Sequence, residues 1–236
     1  MSHREYYRRH LPHWQPVCAT LFVTFRLAGS LPQAIIDRLR DERDAGMRKA
    51  ARMVDVEQHR TQEYLDERRY FGRWDSALDC SVEGPHWLAN PEIAAIVAEA
   101  LHYRDSRLYH LLAFCIMPNH VHLVCTPLPV GRTGSPANDA AARTASPAYE
   151  AHSLSSVLQS LKRHTARQAN VKLGRRGKFW QEESYDHVVR DADELGRVIR
   201  YVISNPVKAG LVESWQDWAW TYRRPDWQSG QPARAP

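Results

Sequence analysis

The chain has 236 residues, of which 43% are hydrophobic and 25% are charged, and its formal net charge is +5. This balance is typical of a globular protein with its own core, and we expect a single domain over residues 1–236. No apolar run approaches the roughly 20 residues that cross a bilayer, and the basic N-terminus lacks the apolar segment of a signal peptide. These features argue against a membrane partner and favour a cytoplasmic protein.

The N-terminal region predicts a basic arm followed by a strand. Residues 1–16 mix arginines with tyrosine, histidine and tryptophan, a composition that suits contacts with phosphates and stacking on bases. Arg8 and Arg9 are our candidates for contacts with a nucleic-acid backbone, but a solvated basic face would give the same pattern. Residues 18–27 (CATLFVTFRL) are rich in β-branched and aromatic side chains, which predicts a strand.

A long charged segment follows this strand. Residues 31 to about 70 predict helix, divided near Gly46, but their apolar positions form only a narrow stripe. We interpret residues 31–72 as a peripheral helical insertion and not as a catalytic element. Asn90 and Pro91 then begin an amphipathic helix, as its N-cap and its first residue.

The middle of the chain predicts a β-hairpin. An apolar run over residues 108–116 is followed by the break Met117-Pro118-Asn119 and by a second apolar run, HVHLV, that starts at residue 120. Two strands this close in sequence are expected to pair with each other. Residues 127–152 are rich in Pro, Gly, Ser, Thr and Ala, and they predict a flexible loop.

A basic helix is expected after that loop. Ser153 begins a segment with apolar residues at helical spacing, and no Asp or Glu occurs from residue 151 to residue 178. Lys162, Arg163 and Arg167 are our choices for contacts with a DNA backbone, again against the alternative of a merely solvated face.

The remaining elements complete an α+β pattern. Residues 179–180 and 185–189 predict short extended segments, and residues 191–204 predict a helix that Asn205-Pro206 stops or bends. The aromatic C-terminal tail, residues 213–236, is expected to pack on the core. This order of elements suits an antiparallel sheet with helices packed on one face, an α+β sandwich.

Two histidines on the second hairpin strand are the strongest chemical signal. Side chains alternate along a strand, so His120 and His122 point to one face while Val121, Leu123 and Cys125 point to the other. Two adjacent imidazoles can hold a divalent metal and leave other coordination positions open. Open positions suit Mg²⁺ or Mn²⁺ held partly by a phosphate oxygen, whereas the scattered cysteines offer no zinc site.

Tyr201 and Asn205 could face such a metal. They are four residues apart and therefore share one face of the predicted helix. A phenol, with a pKa of about 10, attacks phosphorus poorly unless a base or a nearby cation assists it. These arguments permit a tyrosine nucleophile and an amide ligand, but they do not by themselves select Tyr201 among ten tyrosines.

Four stretches of the chain, in order, resemble the REP-associated tyrosine transposases, relatives of single-tyrosine transposases with a histidine–hydrophobe–histidine (HUH) motif. They are RRHLPHW before the strand LFVTFRL, then MPNHVHLV, FWQEESYDHVVRD and YVISNPVKAGLV. The resemblance runs from about Arg8 to Trp220 and leaves out the charged insertion and the loop. It implies an HUH endonuclease fold of the ferredoxin or RRM type.

The resemblance also implies roles for individual residues. His120 and His122 match the metal-binding histidines, and Tyr201 matches the nucleophile. Asn205 stands where related transposases carry a glutamine that completes the metal site, and it is one methylene shorter. Tyr185 is the rival nucleophile, but it has no amide partner four residues later.

The implied reaction is cleavage and rejoining of single-stranded DNA. Tyrosine attacks a phosphodiester of a hairpin substrate, such as a repetitive extragenic palindrome, and forms a 5′-phosphotyrosine link and a free 3′-OH. Two alternatives remain open: a hairpin-binding relative with weak or lost catalysis, and a metal-dependent nuclease that uses water. One tyrosine per chain is compatible with a monomer and with a homodimer.

Overall fold

The computed structural model describes residues 19–52, 55–129 and 152–227, together with the backbone of residues 6–8 and 12–14. The side chains of Arg8 and Arg9 lie outside the described part of the chain, as do residues 130–151 of the expected loop and residues 228–236 of the tail. The side chains of residues 56, 60 and 63 are likewise not described.

The protein is built on an antiparallel sheet of five strands, with helices packed against it. The strand order is β6-β3-β5-β4-β7, and every neighbouring pair is antiparallel. This confirms the expected α+β class. The strands are β3 (Leu21–Leu27), β4 (Tyr109–Ile116), β5 (His120–Pro127), β6 (Trp180–Val188) and β7 (Thr221–Arg223), and β1 (Tyr6–Arg8) pairs separately with β2 (Pro12–Trp14). The helices are α1 (Gln33–Ala50), α2 (Val56–Asp79), α3 (Pro91–Arg104), α4 (Leu154–Lys172) and α5 (Ala192–Lys208).

The hairpin predicted around the histidines is present. Strands β4 and β5 are paired, and Ile116 and Val121 form the pair nearest the turn. At the turn, the Met117 amide donates to the carbonyl of His120 at 2.9 Å. Strand β5 is the middle strand of the five, so both histidines lie at the centre of the sheet.

Helices cover both faces of the sheet, not one face as the order of elements predicts. Residues of α3 and α4 pack on the face that carries Val121, Leu123 and Cys125. Helix α5 packs on the opposite face, where Phe22 and Val124 contact it. Side chains alternate along β5, so one face of the strand packs in the main core and the other face carries the histidines. Helix α5 lies on the face that carries the histidines.

The charged segment forms two helices that pack against each other. Helix α1 ends at Ala50 and α2 begins at Val56, so the helices are not divided near Gly46, which lies inside α1. Helix α2 continues beyond residue 72 to Asp79. Its Leu78 is buried with Leu31 and Ile36 of the preceding segment, and this small apolar cluster holds the two helices together.

Helix α5 does not stop at Asn205-Pro206, as its sequence predicts. Pro206 lies inside the helix, which continues to Lys208. Asn205 is fully buried and Pro206 is buried too. Packing against the sheet evidently outweighs the missing N–H of the proline, because tertiary contacts supply most of the stability of a helix in a protein.

The C-terminal tail contributes to the sheet. Strand β7 pairs with β4, and Tyr222 stacks on Phe114 with ring centroids 5.5 Å apart. The indole N–H of Trp218 donates to the carbonyl of Ile116. None of the described helices is long and apolar enough to cross a membrane.

Candidate metal and tyrosine site

His120 and His122 occupy adjacent positions on one face of β5. Both side chains are buried, with no exposed surface on either residue. Their Nε2 atoms lie 2.9 Å apart, and their rings are nearly perpendicular. The alternation of side chains along the strand therefore does bring the two imidazoles together.

Asn119 determines which nitrogen of His120 carries the proton. The Asn119 side-chain amide nitrogen donates to the Leu78 carbonyl at 2.9 Å, so its Oδ1 faces the histidine. That oxygen lies 2.6 Å from His120 Nδ1 and can only accept. His120 Nδ1 is therefore the protonated nitrogen, and Nε2 keeps a free lone pair directed at the site.

His122 is held by a residue of the neighbouring strand. Its Nδ1 lies 2.8 Å from the hydroxyl of Thr24 on β3, and its ring stacks on Phe22 with centroids 5.8 Å apart. Hydrogen bonds of this kind orient imidazole ligands in metal sites. Both histidines thus have one nitrogen engaged in the fold and the other turned into the site.

The C-terminal end of α2 supplies a carboxylate. Asp75 is buried, and its Oδ1 lies 3.2 Å from His122 Nε2 and 4.0 Å from His120 Nε2. Ligand atoms of these three residues all lie within 4.8 Å of one another, and the group could hold a metal ion. The segment interpreted from sequence as peripheral therefore continues into a helical turn that lies over the histidines.

Burial and neighbouring groups set the protonation of Asp75 and His120. Burial alone would raise the pKa of Asp75, but His122 and His120 outweigh it and hold that pKa well below its usual range. Burial lowers the pKa of His120, which is consistent with a neutral ring. A carboxylate and a neutral imidazole are the states that bind metal ions.

Orphaned polar atoms show that the residues fit a cation. Among the described residues, Asp75 Oδ1, Asp79 Oδ1 and Asn205 Oδ1 are buried oxygens without a hydrogen-bond partner, and leaving such acceptors unpaired is costly. Two nitrogens bound at about 2.1 Å to one ion can be no more than about 4.2 Å apart, and the separation of 2.9 Å satisfies this limit.

Tyr201 points into the same cluster from α5. Its hydroxyl donates to Asp75 Oδ2, and its ring centroid lies 5.8 Å from that of His122. Burial raises the pKa of Tyr201, and the Asp75 carboxylate raises it further. The phenol is therefore protonated, and Asp75 faces the histidines with one oxygen and the tyrosine with the other.

Lys208, one helical turn beyond Asn205, brings a positive charge to the two aspartates. Its Nζ lies 3.0 Å from Asp75 Oδ2 and 3.1 Å from Asp79 Oδ2, and 5.5 Å from the centroid of the Tyr201 ring. Burial and the proximity of Asp75 raise the pKa of Asp79. The ammonium group offsets the repulsion between these two carboxylates.

Asn205 lies beside Tyr201 but makes no hydrogen bond to either histidine within the described part of the chain. Its amide nitrogen donates to the Tyr201 carbonyl at 3.0 Å, and its Oδ1 is the unpartnered acceptor noted above. Tyr201 and Asn205 therefore lie one helical turn apart on α5, with the spacing that the sequence predicts.

Tyr185 has different surroundings. It lies on β6 and stacks on Phe71 at 4.4 Å between centroids, with Phe22 nearby. Burial and the carboxylate of Glu67 raise its pKa. Of these two tyrosines, Tyr201 is the one whose hydroxyl has a hydrogen bond to Asp75 of the histidine and aspartate cluster.

The three basic residues chosen on α4 differ in their surroundings. Lys162 donates to the carbonyls of Gln181 and Glu182 on β6, at 2.9 and 3.0 Å. Arg163 and Arg167 are exposed on the same helix.

Sequence reasoning missed four residues of this site: Asn119, Asp75, Asp79 and Lys208. One signal was available for the two aspartates. They are four residues apart and share one helix face, where two like charges are unfavourable unless a cation lies between them.

Comparisons with known proteins support the resemblance seen in the motifs. No protein-family model matches the chain. A Haemophilus influenzae protein that carries the name REP-associated tyrosine transposase is 27% identical over 122 residues, which are 48% of this chain and 58% of that protein. The chain thus spans little more than half the length of this curated relative. The similarity to a REP-associated tyrosine transposase is confirmed.

A solved structure of a REP-associated tyrosine transposase bound to a REP hairpin aligns with all of this chain and all of its own, at 16% identity and with a TM-score of 0.45.

Proposed function

We propose that the protein is a metal-dependent single-stranded DNA endonuclease and strand transferase that acts on hairpin DNA of the REP palindrome type. Tyr201 is the nucleophile, and His120, His122 and Asp75 hold the metal. The observation that carries the proposal is the position of Asp75, whose two oxygens face the histidine nitrogens and the Tyr201 hydroxyl.

Tyr201 attacks the scissile phosphorus through its phenol oxygen. A bond forms between that oxygen and phosphorus, and the bond from phosphorus to the 3′ oxygen of the preceding nucleotide breaks. The phenol proton passes to Asp75, its hydrogen-bond acceptor. The products are a 5′-phosphotyrosine and a strand whose 3′ oxygen leaves as a hydroxyl after taking up a proton from water. Attack of that hydroxyl on the phosphotyrosine reverses the step and rejoins strands.

The surrounding residues prepare the phenol for this reaction. Asp75 Oδ2 accepts the hydroxyl hydrogen bond, so it orients the oxygen and is the acceptor nearest to its proton. Lys208 lies close enough to the Tyr201 ring to stabilise negative charge on the phenolate. Helix α5 holds the tyrosine rigidly, because Val202 and Ile203 beside it are buried against the sheet.

The expected cofactor is Mg²⁺ or Mn²⁺. Two imidazole nitrogens and a carboxylate form a donor set that suits Mn²⁺ and, with water and phosphate oxygens added, Mg²⁺. Asn205 Oδ1 is a further candidate ligand, since it is buried beside Tyr201 and lacks a partner. When bound, the ion stabilises negative charge on the non-bridging oxygens of the phosphate.

Hairpin DNA is the proposed partner because of the family resemblance and the name of the H. influenzae relative. Exposed Arg163 and Arg167 are suited to contacts with the DNA backbone, and Arg8, Arg9 and Lys162 remain candidates. Tyr201 is hydrogen-bonded to Asp75 of its own chain. This favours a site in which the tyrosine and the histidines come from one subunit, so a monomer would be sufficient for cleavage.

The test is formation of a covalent adduct. Labelled single-stranded hairpins from the source genome are incubated with the protein and Mg²⁺ or Mn²⁺, and products are separated on a denaturing gel. Tyr201→Phe and His120→Ala are run beside Tyr185→Phe, a matched control in which the other tyrosine loses its hydroxyl. We expect an adduct that needs metal, is absent in the first two variants and persists in the third.

Other outcomes identify the alternatives. Hairpin binding without any adduct would indicate a binding protein that has lost catalysis. Cleavage that survives Tyr201→Phe and Tyr185→Phe would indicate a nuclease that uses water. An adduct lost only in Tyr185→Phe would move the nucleophile to β6.

A further inference from the structure

A cavity of about 330 Å³ lies between the α1–α2 pair and the two sheet strands β3 and β6. This size is at the lower end of pockets that bind small organic groups. Asp75 forms part of its wall, so the cavity adjoins the candidate metal and tyrosine site. The side chains that matter here are Arg26, Tyr70, Phe71, Trp74, Glu183 and Tyr185.

The walls are aromatic. Tyr70, Phe71 and Trp74 come from one turn of α2, and Tyr185 faces them from β6. Phe71 and Tyr185 are stacked, while Tyr70 and Trp74 meet edge to face. Such surfaces bind unstacked bases, because every base offers a π face.

The cavity also presents a charged donor, Arg26, and a carboxylate acceptor, Glu183. Arg26 is 7% exposed, its Nη1 donates to Ser30, and its guanidinium lies 5.0 Å over Trp74. Desolvation lowers the pKa of Arg26 to about 10, which leaves it charged at neutral pH, and no described carboxylate contributes to the shift. Glu183 Oε2 is a buried acceptor without a partner among the described residues.

The charges favour a base over a free phosphate. Arg40 and Arg43 lie on the α1 side of the cavity, but Asp44 and Asp75 line it as well. An anion would meet both signs of charge. The edge of a base, in contrast, carries both donors and acceptors, which suits a site with a carboxylate and a guanidinium.

We propose that this cavity binds one unstacked nucleobase of the cleaved DNA strand, next to the scissile phosphate. Glu183 accepts from the exocyclic amine and Arg26 donates to the carbonyl oxygen. Guanine and cytosine carry both groups, whereas adenine lacks the carbonyl and thymine lacks the amine. The inference rests on the proposed function, since it assumes a single-stranded DNA substrate.

The test measures binding, not cleavage. Fluorescently labelled hairpins carry a single-stranded flank in which each position in turn is G, C, A, T or abasic, and dissociation constants are measured by anisotropy without metal. We expect one position where G or C binds about tenfold more tightly than A, T or the abasic site. Glu183→Met, which removes the acceptor, should remove this preference while leaving the affinity for the abasic flank unchanged.

Arg167→Ala is the matched control. Its exposed side chain on α4 does not line the cavity, so this variant should weaken binding of all flanks by the same factor and keep the preference. Arg26→Lys, which keeps the charge but loses the planar fork, should also reduce the preference. If this buried substitution prevents folding, Glu183→Met alone decides the result.

The outcomes separate this proposal from the proposed function. Equal affinity for all flanks in a protein that still forms the adduct would overturn the base pocket only. A base preference that depends on Glu183 in a protein that forms no adduct would support the pocket and overturn the transferase. Free dGMP that binds tightly through Glu183, with no flank preference in the hairpin, would also overturn the assignment to the DNA strand.

Discussion

The Asn119 side chain fixes the tautomer of its neighbour His120. Because its amide nitrogen is bonded to the Leu78 carbonyl, its oxygen can only accept from His120 Nδ1, and Nε2 is left as the electron-pair donor. Asn119 therefore positions a candidate metal ligand without contacting the metal.

Replacing Asn119 with alanine should weaken metal binding. We expect roughly a 10–100-fold lower affinity for Mn²⁺, the usual cost of losing a group that orients a ligand. Isothermal titration calorimetry measures it. Thr20→Val is the control, since it removes a buried hydrogen bond to Thr126 elsewhere in the sheet, and it should leave the affinity unchanged. Equal losses in both variants would mean that general destabilisation is responsible.

Asp75→Asn should lower the affinity for Mn²⁺ at least as much. It removes the carboxylate charge closest to His122 Nε2, and we expect at least a tenfold loss of Mn²⁺ affinity. Asp79→Asn, whose carboxylate lies 4.0 Å from His120 Nε2, should have the smaller effect. The reverse order would assign the metal to Asp79.

Ile199→Ala should destabilise the protein by about 2–5 kcal/mol, because it leaves a cavity where α5 packs on the sheet. Ile199 is completely buried there. Val207 is an exposed residue of the same helix, and Val207→Ala should change the free energy of unfolding by less than about 0.5 kcal/mol. Urea denaturation gives both values. A small loss in Ile199→Ala would contradict the tight packing of this helix.

The stability of the protein should fall in acid partly through Glu194. Burial alone would raise the pKa of Glu194, but hydrogen bonds from Arg190, Tyr64 and His187 lower it to about 2. Since the folded pKa lies below the usual value of 4.5, this stabilisation is present above pH 4.5 and is lost as the pH falls toward 2.

The measurement is the free energy of unfolding of the wild type and of Glu194→Gln between pH 2.5 and pH 6. The wild type should exceed the variant by on the order of 1–2 kcal/mol at pH 6, and the difference should shrink as the pH falls. A difference that does not depend on pH would mean that Glu194 contributes only through packing.

The sequence predicts the histidine face but not the carboxylate opposite it. Alternation along a strand is a local rule, so His120 and His122 can be assigned to one face from their spacing alone. Asp75 lies in a helix rich in charged residues, where one aspartate resembles any other exposed one. Its role depends on how α2 folds back over β5, a tertiary arrangement that helical periodicity does not encode.

At the end of α5, tertiary packing overrides a local sequence signal. Pro206 is a strong local signal to stop a helix, yet the helix continues because Asn205 and Pro206 are buried against the sheet. Tyr201 and Asn205 keep their helical spacing for the same reason, and the local relationship between them could be predicted even though the end of the helix could not.

The two oxygens of Asp75 connect the histidine pair with the Tyr201 hydroxyl through one carboxylate. Oδ1 faces the histidines, while Oδ2 accepts hydrogen bonds from Tyr201 and Lys208. A cation that draws electron density to Oδ1 makes Oδ2 a weaker acceptor, and the tyrosine hydroxyl is then held less strongly. By thermodynamic linkage, any group that releases the hydroxyl from Oδ2 must favour the cation by the same free energy. Binding of a cation at Oδ1 and release of the Tyr201 hydroxyl from Oδ2 would thus favour each other equally.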